Sequence, residues 1–291
     1  MEYYVSKKII KKISQRIWNL LRQEKVTRSM VRETTLTDII FSELINHSNN
    51  SILAKQREKE ESKNGADMEW WMWSRSSRKA ISFRIQAKKL DYKTSSYLKL
   101  DHKHQMENLI NTSMEENFVP IYFFYNYLDD EQNIYHSWEY AFAHDIASIK
   151  SDNQLRNFKK RIILESYCKP VDDFFCESDD ILEYILKSYL KVNPSIIKEN
   201  YYKEKLPTYI QELRKSRKKL LNRKLNKKKQ VTNVGSNMLP KDSSFKAFIN
   251  EIFNLSFLGL IDWLKVEISP INHVKFPLNA PDVKYIIFTE I

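Results

Sequence analysis

The sequence is poor in glycine, cysteine and long apolar runs, and each shortage removes a class of protein. Its 291 residues contain three glycines, too few for the loops that cradle phosphates in dinucleotide-binding and P-loop proteins. Most nucleotide-hydrolysing and dehydrogenase chemistries fall away with them. The only two cysteines, Cys168 and Cys176, have no second pair and no histidines at zinc-site spacing. Zinc is therefore not indicated, and a reducing compartment fits. No stretch approaches the roughly 18 uninterrupted apolar residues of a membrane helix. The opening MEYYVSKKIIKK has neither the apolar run nor the cleavage site of a signal peptide. A soluble, cytoplasmic protein with no membrane partner is the expectation.

What the sequence has in quantity is apolar content and positive charge. Hydrophobic residues make up 42%, enough for a real core at this length. The formal net charge is +11, which favours a polyanionic partner, nucleic acid before a membrane surface. Residues 214 to 229 (RKSRKKLLNRKLNKKK) hold ten Lys or Arg and no acid. Within that run Arg214, Lys215, Arg217, Lys218, Arg223 and Lys224 are candidates for phosphate contacts, which raise affinity without reading sequence. Leu213, Leu220, Leu221 and Leu225 are spaced to pack beneath the same helix.

The patterning predicts an α/β protein. Ile9, Ile10, Ile13, Ile17, Leu20 and Leu21 mark an amphipathic helix over residues 3 to 24, and a second is expected from 35 to 46 with Thr35 as N-cap and Glu33 just before it. After the charged stretch 55 to 64, Gly65 opens ADMEWWMW, short and aromatic enough for a strand. AISFRIQAKKL (80 to 90) then alternates, with Ile81, Phe83, Ile85 and Ala87 on one face and Ser82, Arg84, Gln86 and Lys88 on the other. A two-stranded hairpin is the simplest arrangement. A helix over 101 to 117, a buried strand over 118 to 128 and a helix over 137 to 149 complete a mixed sheet with helices packed on it. Beyond a soft boundary near residue 150 the text is mainly helical (153 to 165, 179 to 191, 207 to 229), with strand-like LKVEIS and VKYIIFTEI near the end. Residues 1–150 and 151–291 are accordingly read as two parts.

One constellation has the residue types for phosphodiester hydrolysis, which needs a divalent cation to neutralise phosphate and a group to position water. Asp67 on one strand faces Gln86 and Lys88 on its neighbour, two residues apart and hence on one face. Asp67 and the Gln86 side-chain oxygen suit a hard cation such as Mg2+ or Mn2+, the Ala87 carbonyl could add a ligand, and the Lys88 ammonium suits water or phosphate oxygen. Glu33 reaches the same point if its helix crosses the hairpin. Glu69 shares the face of Asp67 and is read equally as a further ligand or a paired carboxylate; Glu60 and Glu61 are weaker candidates. Trp70, Trp71 and Trp73 read as core before base-stacking groups. Gln105 reads as a surface residue before a contact of Lys88, and His102 and His104 lack the spacing of a zinc pair.

Over roughly residues 30 to 128 the sequence resembles the PD-(D/E)xK superfamily of restriction-endonuclease-like nucleases: Glu33 on a helix, Gly65-Ala66-Asp67 and Gln86-Ala87-Lys88 on a hairpin, a helix, then a buried strand. The resemblance implies that Asp67 is the principal metal ligand, that Lys88 organises the attacking water and that Glu33 is an additional acid. It also implies a metal-dependent endonuclease in bacterial restriction or anti-phage defence, DNA before RNA as substrate, and a homodimer where both strands are cut. Gln86 departs from the usual Glu or Asp and matches a Gln-x-Lys variant. A catalytically inactive nucleic-acid-binding module and a regulatory subunit of a defence complex are the competing readings.

Overall fold

The structure is a computed structural model. It describes residues 7–47, 51–55, 64–128, 136–151, 157–175, 181–215, 273–274 and 285–290. Its helices are α1 (Lys7–Thr27), α2 (Glu33–His47), α3 (Gln105–Glu115), α4 (Ala143–Ser151), α5 (Arg161–Leu164), α6 (Ile181–Val192) and α7 (Lys198–Tyr201), followed by a helical segment, α8, at 208–215. Its strands are β1 (Ser51–Lys55), β2 (Met68–Trp73), β3 (Ala80–Lys89), β4 (Val119–Tyr125), β5 (Trp138–Phe142), β6 (Lys169–Pro170), β7 (His273–Val274) and β8 (Tyr285–Glu290). They form one mixed sheet in the order β6-β5-β4-β3-β2-β8-β1-β7, flanked by helices as the α/β patterning predicts.

The sheet separates two apolar clusters. On one side Met68, Trp70 and Met72 of β2 and Ile81, Phe83, Ile85 and Ala87 of β3 meet Ile10, Ile13 and Ile17 of α1 and Leu36, Ile40 and Phe41 of α2. On the other, Trp71 and Trp73 join Met106 and Leu109 of α3, Ile146 of α4 and Ile210 of α8. The period-2 alternation of the strands therefore feeds two cores. Trp70, Trp71 and Trp73 are buried packing groups, as their alternation suggests.

Several elements differ from expectation for identifiable reasons. α2 starts two residues early, so Thr35 lies inside it. The Arg32 carbonyl accepts the Thr35 and Leu36 amides at 3.0 and 3.2 Å. Val31 and Leu36, both in the same core cluster, occupy the two positions of a hydrophobic staple around Arg32, and this apolar pair sets the helix start. Residues 137 to 149 are strand then helix, because Trp138, Tyr140 and Phe142 alternate into the first core while Ala141 faces the second. His102–His104 is a separate 3-10 turn ahead of α3. Of the expected 153–165 helix the structure describes 157–165, and within that part Arg161–Leu164 is α-helical.

The sheet also crosses the boundary expected near residue 150. β6 pairs with β5, and β8 lies between β2 and β1, with Ile287 and Phe288 buried on opposite faces. α6 adds Leu182, Ile185 and Tyr189 to the first core. The LKVEIS segment, Cys176, Glu60 and Glu61 lie outside the described residues, as do Arg217, Lys218, Arg223 and Lys224 of the basic run. No described helix is long and apolar enough to cross a membrane.

Candidate active site

β2 and β3 pair antiparallel with Met68 opposite Ile85 and Glu69 opposite Arg84. The Asp67 amide extends the ladder by donating to the Ile85 carbonyl at 2.9 Å, which brings Asp67 beside Gln86. The turn that delivers it is tightly specified. Asn64 Oδ1 accepts the Ala66 amide at 3.0 Å, and Gly65 sits at φ +71, with the α3 backbone so close that a Cβ would fall 2.3 Å from the Gln105 carbonyl oxygen. Only glycine meets both demands. It lets the first turn of α3 settle against the approach to Asp67.

The Asp67 carboxylate is partly exposed. Its Oδ2 accepts the Ala87 backbone amide at 2.9 Å and the Gln86 side-chain amide at 2.5 Å. Gln86 and Lys88 are themselves buried, on the sheet face that α3 covers. Lys88 Nζ donates to Gln105 Oε1 at 3.1 Å. Gln105, expected at the surface, is thus buried at the head of α3 and orients the lysine. Its signal was the four-residue spacing to Leu109, since Gln105, Met106, Leu109 and Ser113 form the buried stripe of α3.

Glu33 arrives from the opposite side of the sheet, at the first turn of α2. Its Oε2 accepts the Lys89 backbone amide at 2.9 Å. Lys89 Nζ binds both carboxylate oxygens of Glu24 at 2.7 and 2.9 Å and the Val31 carbonyl at 2.7 Å. This clamp fixes the end of α1 and the start of α2 to the last residue of β3. Burial, then the neighbouring Asp67 carboxylate, push Glu33 up to about 7, while Lys88 and the Lys89 amide act the other way. Asp67, Gln86 and Lys88 therefore share one sheet face near the carboxyl end of β3, and Glu33, bonded to the Lys89 amide, lies close enough to feel the charges of Asp67 and Lys88.

Glu69 belongs to a different arrangement. It is fully buried, with Arg84 Nε at 3.4 Å, Trp71 Nε1 at 3.2 Å and Tyr209 Oη at 3.0 Å. Arg84 continues to Glu116 Oε2 and the Thr112 carbonyl, both at 2.7 Å. Glu69 is thus a paired carboxylate. Arg214 lies over the Trp73 ring at 5.0 Å, and it lines with Lys215, Gln211 and Glu204 a cavity of about 410 Å³ at the far end of β2 from Asp67. His104 pairs with Glu107 at 3.1 Å on the surface.

The donor set at β3 fits a small hard cation. Asp67 and Glu33 offer carboxylates. Gln86, which here gives its N–H to Asp67, would present its oxygen after a half-turn about the terminal bond. Burial first and the Asp67 charge second raise Glu33, and a dication would relieve the second of these. Among the described residues no three His, Cys, Asp or Glu side chains gather as a metal cluster. Two acids with remaining positions left to water and substrate are nonetheless a usual magnesium set.

The class defined by this fold and site is an α/β protein with acid, amide and lysine assembled at the end of one strand. Residues 6–241 match the model of a family of unknown function, DUF6615, and the chain belongs to that family. No curated protein and no solved structure matches it.

Proposed function

We propose that this protein is a metal-dependent endonuclease of the restriction-endonuclease-like type, hydrolysing DNA phosphodiester bonds in bacterial restriction or anti-phage defence. The observation that carries this reading is the meeting of Asp67, Gln86 and Lys88 on one sheet face, with Glu33 electrostatically coupled to Asp67 and Lys88. Asp67, Glu33 and the Gln86 oxygen would hold Mg2+ or Mn2+, which supplies charge neutralisation at the phosphate and acidifies water. Lys88, held by Gln105, presents its ammonium to the attacking water or to the phosphate oxygen on which charge develops. Asp67 also tethers the Ala87 amide, keeping the strand end in place while the lysine works.

Purified protein incubated with plasmid and linear DNA in Mg2+ or Mn2+ tests this. Asp67→Ala and Lys88→Ala are each expected to lower cleavage by about 100-fold or more, the usual cost of losing one charge-stabilising group. Equal cleavage by wild type and both variants, or none with either metal, removes the catalytic reading. A second reading, a nucleic-acid-binding module that keeps the fold without catalysis, is favoured by the neutral Gln86 donating to Asp67 where an acid is usual. Binding without cleavage in every metal would select it.

A further inference from the structure

The basic run at 214–229 is the charge feature the sequence advertises, yet its described beginning lies at the far end of β2 from Asp67. A second basic surface adjoins the candidate site directly. Residues 22 to 32 (RQEKVTRSMVR) contain four cations, Arg22, Lys25, Arg28 and Arg32, and one acid, Glu24. Glu24 is buried and held by Lys89, whereas all four cations are exposed. The segment's outward charge is therefore wholly positive.

The surface is also ordered. The Arg22 guanidinium lies 5.2 Å from the Trp18 ring centre and the Lys25 ammonium 5.3 Å from that of Tyr127, so aromatic faces hold both stems in place. Thr27 Oγ1 donates to the Gln23 carbonyl at 2.8 Å and meets Ser29 Oγ, closing α1 as Arg28 turns through φ 57. Val26 and Met30 stand 76% and 81% exposed among the cations. Through the Val31 carbonyl and Glu33 the segment is clamped to Lys89, next to Lys88.

We infer that the α1–α2 connection is the surface that grips the nucleic-acid backbone beside the scissile phosphate, with Arg22, Lys25, Arg28 and Arg32 as phosphate contacts and Val26 and Met30 against sugar or base edges. The inference rests on the nuclease reading for its choice of substrate. Its geometry is that of a basic clamp continuous with Glu33, and a cation here is worth more to a bound strand than one at the other end of the sheet. Such contacts do not read sequence, and each releases condensed counterions, so binding through them weakens steeply with salt.

The test is fluorescence anisotropy of the full chain with a labelled 20-mer, duplex and single-stranded, in EDTA across a salt series. Arg28→Glu with Arg32→Glu is compared with Lys187→Glu and Lys191→Glu on the exposed side of α6. Arg28→Asn with Arg32→Gln serves as a neutral variant, since asparagine tolerates the left-handed backbone at position 28. The reversal is expected to lower affinity tenfold or more, the neutral variant by less, and the α6 pair little. The slope of log K against log salt should become shallower by about 0.9 for each duplex phosphate contact removed, or about 0.7 on a single strand. Unchanged affinity and slope in the reversal, or an equal loss in the α6 pair, overturns the inference, as does a wild type that binds neither DNA. Cleavage that still depends on Asp67 while the reversal binds normally removes this surface and leaves the nuclease reading standing. Lost binding with no cleavage by any protein does the opposite.

Discussion

Two rungs of the same hairpin hold an acid against a β3 residue on the same sheet face, and they have opposite characters. At Glu69 and Arg84 the charges neutralise each other at 3.4 Å, with Trp71 and Tyr209 completing a seal that excludes solvent. At Asp67 and Gln86 the partner is neutral and the carboxylate is partly exposed. On the same face the Lys88 ammonium hydrogen-bonds the Gln105 amide oxygen, and a second acid, Glu33, is raised to about 7 by burial and then by Asp67. One rung is an ion pair closed off from solvent, while the other sets a partly exposed carboxylate against amide donors. Two acids alternating along a strand thus read alike in sequence and part company once their partners are known.

The sharpest way to break this comparison is to remove each acid in turn. Glu69→Ala leaves Arg84 buried with its β2 partner gone, and breaking a buried pair costs about 3–5 kcal/mol. Glu116 and the Thr112 carbonyl still engage the guanidinium, which places the loss near the lower end. Asp67→Ala forfeits the acceptor of the Ala87 and Gln86 amides, about 1 kcal/mol each, part of it recovered as Glu33 loses a neighbouring negative charge. Urea denaturation should therefore rank Glu69→Ala below Asp67→Ala, while cleavage assays on the folded fractions rank them in reverse. Similar stability losses for both would mean that Asp67 is as structural as Glu69.

Much of the open rung is legible in the sequence. Strand alternation alone places Gln86 and Lys88 together, and the glycine before Asp67 marks a turn into the facing strand. Glu33 is legible as an acid at a helix mouth, although the apolar pair Val31 and Leu36 rather than Thr35 sets where that helix begins. The sealed rung is not legible, because Tyr209 reaches Glu69 from 140 positions along the chain. The spacing of Gln105 to Leu109 signals its burial, but, for a related reason, its contact with Lys88 is not legible. Its polarity suggests solvent, and only the approach of α3 over Gly65 puts it in reach of Lys88. The position of β8 between β2 and β1 likewise depends on a pairing that no local pattern encodes.

The next comparison is between pH values, with Glu33 as the reporter. Its pKa in the folded protein, about 7, lies above the ordinary 4.5, so the folded state holds this proton more tightly than the unfolded chain. The resulting stability is fully present below about 4.5 and is lost as pH rises through 7. The shift corresponds to about 3 kcal/mol across that window. Without divalent cation, Glu33→Gln is expected to match wild type near pH 4.5 and exceed it by up to that amount at pH 8, since the amide oxygen can still accept the Lys89 N–H. Added Mg2+ should narrow the gap by favouring the charged carboxylate. Parallel stability curves for the two proteins would show that neither burial nor the Asp67 charge raises Glu33.

The smallest effect isolates the neutral residue that separates the two rungs. In Gln86→Glu the N–H donated to Asp67 becomes a carboxylate oxygen, and two acids in contact cannot both ionise without cost, so one is expected to keep its proton. At pH 8 without metal this should lower stability by about 1–2 kcal/mol, the loss shrinking as pH falls and the pair takes up a proton. The β3 guanidinium, Arg84, is committed to Glu69 and Glu116. A divalent cation can rescue the loss, so Mg2+ or Mn2+ should restore thermal stability in Gln86→Glu by more than it stabilises wild type. If metal leaves the variant as destabilised as before, the carboxylates do not face a common cation position, and the open rung is a hydrogen-bonded strand end with no metal role.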